Sequence, residues 1–242
     1  MFIITALQRM NRGSHFRAYV LRAGDLIAPF LGVDHAWMSG PTFPAHPHSG
    51  LSAVSYLFID SETGIDNWDS LGTQNLIKPG GLHWTTAGRG IVHEEHPAET
   101  GKTVHSLQVF VDLPPERKDI EPFPLILDSQ DVPVVQLPGV KVRVPVGSFG
   151  GTRSSLNPPT DVTMLDISLD EGAELMVPVE AYQTAFVMPI FGTAAVDGES
   201  FGHNDLRLPV YPAQTTPHAI KLHAPRGSAK VMLFAGAPLS SR

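Results

Sequence analysis

The sequence predicts an all-β chain folded as two β units of similar size, and three observations carry that expectation. Short apolar or alternating runs recur along the whole chain, most of them five to eight residues long and bounded by Gly, Pro, Asp or Ser. The 22 Pro and 22 Gly are spread between those runs, as tight turns between strands require. No stretch shows a convincing 3.6-residue period, apart from a short helix expected near 114–120.

The runs lie at 16–21, 53–59, 76–78, 82–85, 106–113 and 132–137 in the first part of the chain. They continue at 141–146, 162–169, 184–190, 206–211, 219–222 and 229–234. The charged, Pro-punctuated stretch from Leu113 to Pro122 is the best linker candidate and divides the chain into residues 1–121 and 122–242. The halves also echo each other. Residues 75–80 followed by Trp84-Thr85-Thr86 resemble 205–210 followed by Gln214-Thr215-Thr216, and 106–110 resemble 230–234. Short matches of this kind suggest a duplicated β unit.

Composition narrows the function classes. A hydrophobic content of 42% with 17% charged residues describes a chain that buries a sizeable core. The net charge of -7, with no Lys/Arg cluster, argues against a surface that tracks nucleic-acid phosphates. With no cysteine there is no disulfide, thiolate or Cys-zinc chemistry. Met1 to Leu7 lacks the basic start and long apolar core of a signal peptide, and no apolar run reaches the roughly 20 residues of a membrane helix. A cytoplasmic, monomeric protein is the expectation.

The chemistry concentrates in Phe43-Pro44-Ala45-His46-Pro47-His48-Ser49-Gly50 and in Thr86-Ala87-Gly88-Arg89-Gly90-Ile91-Val92-His93-Glu94-Glu95-His96-Pro97. In an extended chain residues i and i+2 share a face. His46 and His48 therefore point one way, as do His93 and Glu95, while Glu94 and His96 point to the opposite, solvated face. Two antiparallel strands carrying these pairs inside a barrel bring three imidazoles and one carboxylate to a point. Such a donor set suits divalent Fe, Mn, Ni, Cu or Zn. A lone His-x-His is more often two surface histidines; the second pair is what turns the reading toward a metal. Gly88-Arg89-Gly90 lacks the strand-then-helix setting of a nucleotide loop and reads as a tight turn.

Residues 44–50, Val54-Ser55-Tyr56-Leu57, Asp69-Ser70-Leu71-Gly72, Pro79-Gly80 and the run from Thr85 to Glu95 resemble the pirin family of bicupins, from about Phe30 to Leu113. The resemblance implies two cupin-type barrels packed face to face, with few short helices and with the metal in the N-terminal one. It carries the ligand role to His46, His48, His93 and Glu95, with Fe(II) first and Ni, Mn, Cu, Co or Zn as alternatives. It implies two functions. One is a dioxygenase of the quercetin 2,3-dioxygenase type, acting with O₂ on a flavonol-like phenolic, in which Glu95 is the catalytic proton acceptor. The other is a metal-dependent redox sensor that binds a protein partner, a transcription factor or a metabolic enzyme. Phe43, Tyr56, Trp84 and Leu107 are the candidate walls of the substrate pocket. Ser49, Ser52 and Gly81 stand where the family usually has Arg, Glu and Asp, which leaves the ligands intact and alters the surroundings.

The C-terminal half is expected to form a second barrel without a metal. Matching the halves puts Val179 and Ala181 opposite His46 and His48, and His223 and Pro225 opposite His93 and Glu95. One donor of four remains in that set.

Overall fold

A computed structural model describes residues 1–239 as strands with three short 3₁₀ turns, at Gly24–Ile27, Pro115–Arg117 and Ser129–Asp131. The middle turn lies inside the stretch expected to be a short helix. Among the described residues no helix is long and apolar enough to cross a membrane.

The strands form two barrels with the same plan. In the N-terminal barrel a seven-stranded sheet runs Phe123–Leu127, Leu82–Thr86, Leu51–Leu57, Val104–Asp112, Phe30–Met38, Phe16–Leu21, Gln8–Arg12. It faces a four-stranded sheet of His46–His48, Ile91–Pro97, Ile65–Asp69 and Gln74–Ile77. In the C-terminal barrel the seven-stranded order is Ile3–Ala6, Arg207–Tyr211, Thr184–Phe191, Ala229–Gly236, Val162–Leu169, Val140–Val146, Val134–Leu137. Its four-stranded sheet is Glu174–Val179, His218–His223, Thr193–Val196 and Glu199–Gly202. All strand pairs in the two barrels are antiparallel, so their ladders close with short turns.

Two edge strands pair across the expected division at residues 121 and 122. Ile3–Ala6 pairs with Arg207–Tyr211 in the C-terminal sheet, and Phe123–Leu127 pairs with Leu82–Thr86 in the N-terminal sheet. Each barrel thus has one edge covered by chain from across the boundary, which protects an otherwise open ladder.

Alternation explains where the core sits. On Val104–Asp112, Leu107, Val109 and Val111 face the other barrel, while Ser106, Gln108 and Phe110 face the interior of their own. On Val162–Leu169, Met164 faces the other barrel, while Leu165, Ile167 and Leu169 fill their own. A shared apolar layer therefore glues the barrels, with Phe234 stacked on Phe186 at 4.6 Å and set edge-on to Phe30 at 5.6 Å.

The two halves compare in a way the sequence echo caught only in part. Strands 104–112 and 229–236 occupy the same place in their sheets, as the match of 106–110 with 230–234 implied. Strand 207–211 matches 82–86 by sheet position, so the pairing of 75–80 with 205–210 is about five residues out of phase. That shift moves the counterparts of His93 and Glu95 from His223 and Pro225 to His218 and Ile220, while Val179 keeps its place as the counterpart of His46. The inward face of the equivalent strands carries Leu175, Val177 and Val179 against Leu222, Ile220 and His218. His223 lies on the outward face, opposite Glu174.

Candidate metal centre

The motif Pro44-Ala45-His46-Pro47-His48 forms a three-residue strand whose partner is Ile91–Pro97, with His93 directly opposite His46 and Ile91 opposite His48. Pro47 has no N–H to give a ladder, which suits a short edge strand. The i, i+2 spacing turns both imidazoles inward, and the ligand atoms of His46, His48 and His93 all lie within 4.8 Å of one another. His48 Nε2 is 3.1 Å from His93 Nε2. Two imidazoles bound at right angles to a metal about 2.1 Å away would stand about 3.0 Å apart, so the rings fit a shared ion.

His46 is steered by its Nδ1, 2.9 Å from the Pro44 carbonyl, which leaves Nε2 free to ligate. The pKa of His48 is lowered to about 4, by burial first and then by the neighbouring His93 and His46. His93 is also lowered to about 4, by burial first and His46 second, with Asp69 opposing. Both rings are thus neutral at pH 7, the form that donates to a metal.

Glu95 stands apart from the cluster of mutually close ligand atoms. Both its oxygens sit against Ser55, with Oγ 2.7 and 2.8 Å away. Burial pushes its carboxyl up, opposed by the Ser55 hydrogen bond and by His83 and His46. Ser55 Oγ is also 3.0 Å from the side-chain amide of Gln108, whose Nε2 is buried without a partner. A hydroxyl has one proton. With Ser55 donating to Glu95, the atom of Gln108 beside Ser55 Oγ, placed as Oε1, is better assigned as Nε2, so that the amide donates to the serine. Glu94 and His96 lie on the other face of the strand, half-buried and away from the cluster.

A cavity of about 130 Å³ opens over the three imidazoles, with Glu95, Ser106 and Gln108 on its polar side and Phe16, Met38, Phe43, Ile65 and Phe110 on its apolar side. Of the four wall candidates Phe43 lines it. Tyr56, Trp84 and Leu107 do not: strand alternation sends all three to the opposite face of the sheet, into the layer between the barrels. Sequence reasoning passed over Asp34, Ser55, Gln108 and Phe110, which arrive from three separate strands. Their signal was the parity of each strand, legible once a neighbour of known facing is fixed. His83 is buried beside Ser55 in the adjacent strand, with both ring nitrogens unpartnered.

The pirin family model matches residues 15–111, the segment that carries the whole cluster. Pirin-1 of Arabidopsis thaliana is 32% identical over 81% of this chain and 67% of its own length. The pirin-like protein At1g50590 of the same plant is 34% identical over 68% of this chain, and the match spans 53% of that relative, about half its length. Among solved structures, GK1651 of Geobacillus kaustophilus aligns with a TM-score of 0.89 at 27% identity, covering 99% of this chain and 96% of that one. A quercetin 2,3-dioxygenase of Acinetobacter baumannii aligns at 0.87 with 23% identity over 99% and 88%. The pirin YhhW of Escherichia coli, crystallised with nickel(II), aligns at 0.76 with 17% identity over 99% and 100%. Taken with the bicupin architecture and the histidine cluster, these matches show that the chain belongs to the pirin family of the cupin superfamily.

Proposed function

We propose that His46, His48, His93 and Glu95 hold one divalent metal, Fe(II) in the working form, and that the chain is an O₂-dependent dioxygenase acting on flavonol-like phenolics. The observation that carries the reading is the convergence of three imidazoles, two of them held neutral by burial, on the floor of a cavity with a half-buried carboxylate beside them. The names of two structural neighbours, a quercetin 2,3-dioxygenase and a nickel-bound pirin, support both the metal and the substrate class.

A bound metal of this kind supplies Lewis acidity and one-electron redox chemistry. The chain's own residues do the rest. His46, His48 and His93 would hold the metal at the cavity floor. Glu95 would be the fourth residue to hold the metal, and its carboxylate would take the proton of a substrate hydroxyl. Phe43 and Phe110 flank the imidazoles, with ring centroids 6.5 Å from His46 and 5.8 Å from His48, and keep water from that side. The cavity is smaller than the roughly 300–1,000 Å³ of a complete ligand pocket, so the ring bearing the reacting oxygens enters and the remainder stays at the mouth.

The test combines metal analysis with O₂ uptake. Iron-loaded protein consumes O₂ with quercetin, and chelation abolishes the uptake. His46→Ala and Glu95→Ala lose bound metal, whereas Glu94→Ala retains it. Glu95→Gln loses turnover more than metal, because an amide oxygen ligates weakly but takes no proton. Silence across a panel of vicinal-oxygen phenolics, with iron verified in place, overturns the enzyme reading in favour of a metal-dependent sensor that binds a protein partner.

A further inference from the structure

The layer between the barrels closes at one end and stays open at the other. At the closed end apolar side chains such as Phe30 and Phe234 meet. At the open end the same C-terminal sheet presents Lys141, Arg143 and Lys230, and a cleft of about 560 Å³ separates them from His105 and Asp60 of the N-terminal barrel. Alternation is again the cause. Val140, Val142 and Val144 fill the C-terminal barrel, so Lys141 and Arg143 between them face outward.

Arg143 is the anomaly in this cleft. It is 6% exposed, yet it makes no ion pair with a carboxylate among the described residues. Its Nη2 donates to the Gly80 carbonyl at 2.7 Å and the Ser129 carbonyl at 3.3 Å, and its Nε donates to Tyr56 Oη at 3.3 Å. Those contacts would serve a neutral donor equally well and leave the charge uncompensated. Asp166, in the same network, is already engaged by Lys230 Nζ and Tyr56 Oη, each at 2.8 Å. Of the other acids, Asp170 is exposed at the rim, and Asp60 faces His105 Nδ1 at 3.0 Å with its side chain 70% exposed, so water screens it. Buried guanidinium groups are paired as a rule, because leaving water costs several kcal/mol per ion. The missing partner is an anion.

We infer that this cleft binds a small aromatic monocarboxylate, its carboxylate on Arg143 and its ring against Ile190 and the exposed face of Phe191. Lys141 is exposed and solvated, so the one buried charge left uncompensated, on Arg143, calls for a monoanion over a phosphate dianion. Phe191 is 58% exposed and backed by His203, ring to ring at 6.2 Å and 21°, so it offers a braced aromatic wall. Interfaces between domains are a preferred place for such sites, and the cleft volume falls in the range of about 300–1,000 Å³ that they occupy.

The test is calorimetric titration of the intact, chelated chain with benzoate, and with inorganic phosphate in parallel. Benzoate binds saturably, and Arg143→Met weakens it at least tenfold. Because Arg143 also ties down two carbonyls, Phe191→Glu is the second variant. It changes an exposed wall, leaves the melting temperature unchanged and weakens benzoate to a similar degree. His46→Ala leaves benzoate affinity intact. The inference fails if benzoate gives no saturable binding, if Phe191→Glu binds it as wild type does, if His46→Ala abolishes it, or if phosphate binds as tightly.

Discussion

The two barrels share one strand order and opposite interiors. Inside the C-terminal barrel Leu175, Val177, Val179, Ile220 and Leu222 occupy the strands equivalent to those that carry His46, His48, His93 and Glu95 in the other. Those side chains interlock with Val142, Ile167, Phe201 and Leu233 and fill the barrel, as small barrels are usually filled. The N-terminal barrel instead holds imidazole, carboxylate, amide and hydroxyl groups. Several of these, on Asn67, Asp69, His83, His93 and Gln108, have buried polar atoms with no protein partner. Buried polar groups without partners destabilise a fold. One barrel therefore spends burial on stability while the other gives it up for a site, and the apolar layer between them lets the first support the second.

The hardest blow to that comparison is a variant that uncouples the barrels. Phe234 touches Phe186 of its own barrel and Phe30 of the other, and all three are buried to within 1%. Phe234→Ala is expected to cost about 3–5 kcal/mol, in line with large aromatic truncations in cores. With strands exchanged at both edges, the whole chain should still melt in a single transition at a lower temperature. Two separated transitions in calorimetry would show that the C-terminal barrel does not brace the N-terminal one.

This coupling is also where the sequence was least legible. The ligand pairs could be read because i, i+2 spacing is local and strands impose it. The strand Phe30–Met38 escaped notice because seven of its nine residues are buried on both faces, so no alternation marks it. The exchanged edges escaped because the partners of Ile3–Ala6 lie some two hundred residues away, and nothing in Ile3-Ile4-Thr5-Ala6 names them. Ser55 is an ordinary serine in an apolar run, and its role exists only because Glu95 folds onto it. Wall residues were misassigned for the same reason: Tyr56 and Leu107 are one position out of phase with Ser55 and Gln108.

A smaller effect separates the barrels through Ser55. If its hydroxyl orients Glu95, Ser55→Ala should lower metal affinity about 10–100-fold, the usual consequence of removing a partner that holds a ligand. The melting temperature of the chelated protein should barely move, since the serine packs little apolar surface. A competitive titration against a chromogenic chelator reads the first quantity. Unchanged affinity would mean that Glu95 reaches the metal without guidance and that the Gln108–Ser55–Glu95 relay only fills space.

The smallest effect is acid sensitivity, and it falls mainly on the N-terminal barrel, where His48, His83 and His93 are all lowered. In the metal-free protein His48 and His93 are lowered to about 4, whereas an unfolded chain protonates histidine near the ordinary value of 6.5. Between those values the unfolded state binds more protons than the folded one, so stability rises with pH across the window and falls as pH drops from about 6.5 to about 4. Above 6.5 both states are neutral at these rings and the dependence vanishes. Both sites reach solvent through the cavity, so screening holds the contribution to the order of 1 kcal/mol per ring. The equivalent C-terminal strands carry a single inward imidazole, His218, opposite Val179, and its pKa is lowered by burial, so it adds a slope of its own. Replacing one of the two strongly lowered rings, as His93→Val, should lessen the slope of the denaturant midpoint against pH in chelated protein, with a gain in stability at pH 5 that is smaller at pH 7.5. If the slope survives the substitution unchanged, the acid sensitivity lies elsewhere, with the buried His35–His105 pair as the next place to measure, where ring nitrogens meet at 2.7 Å.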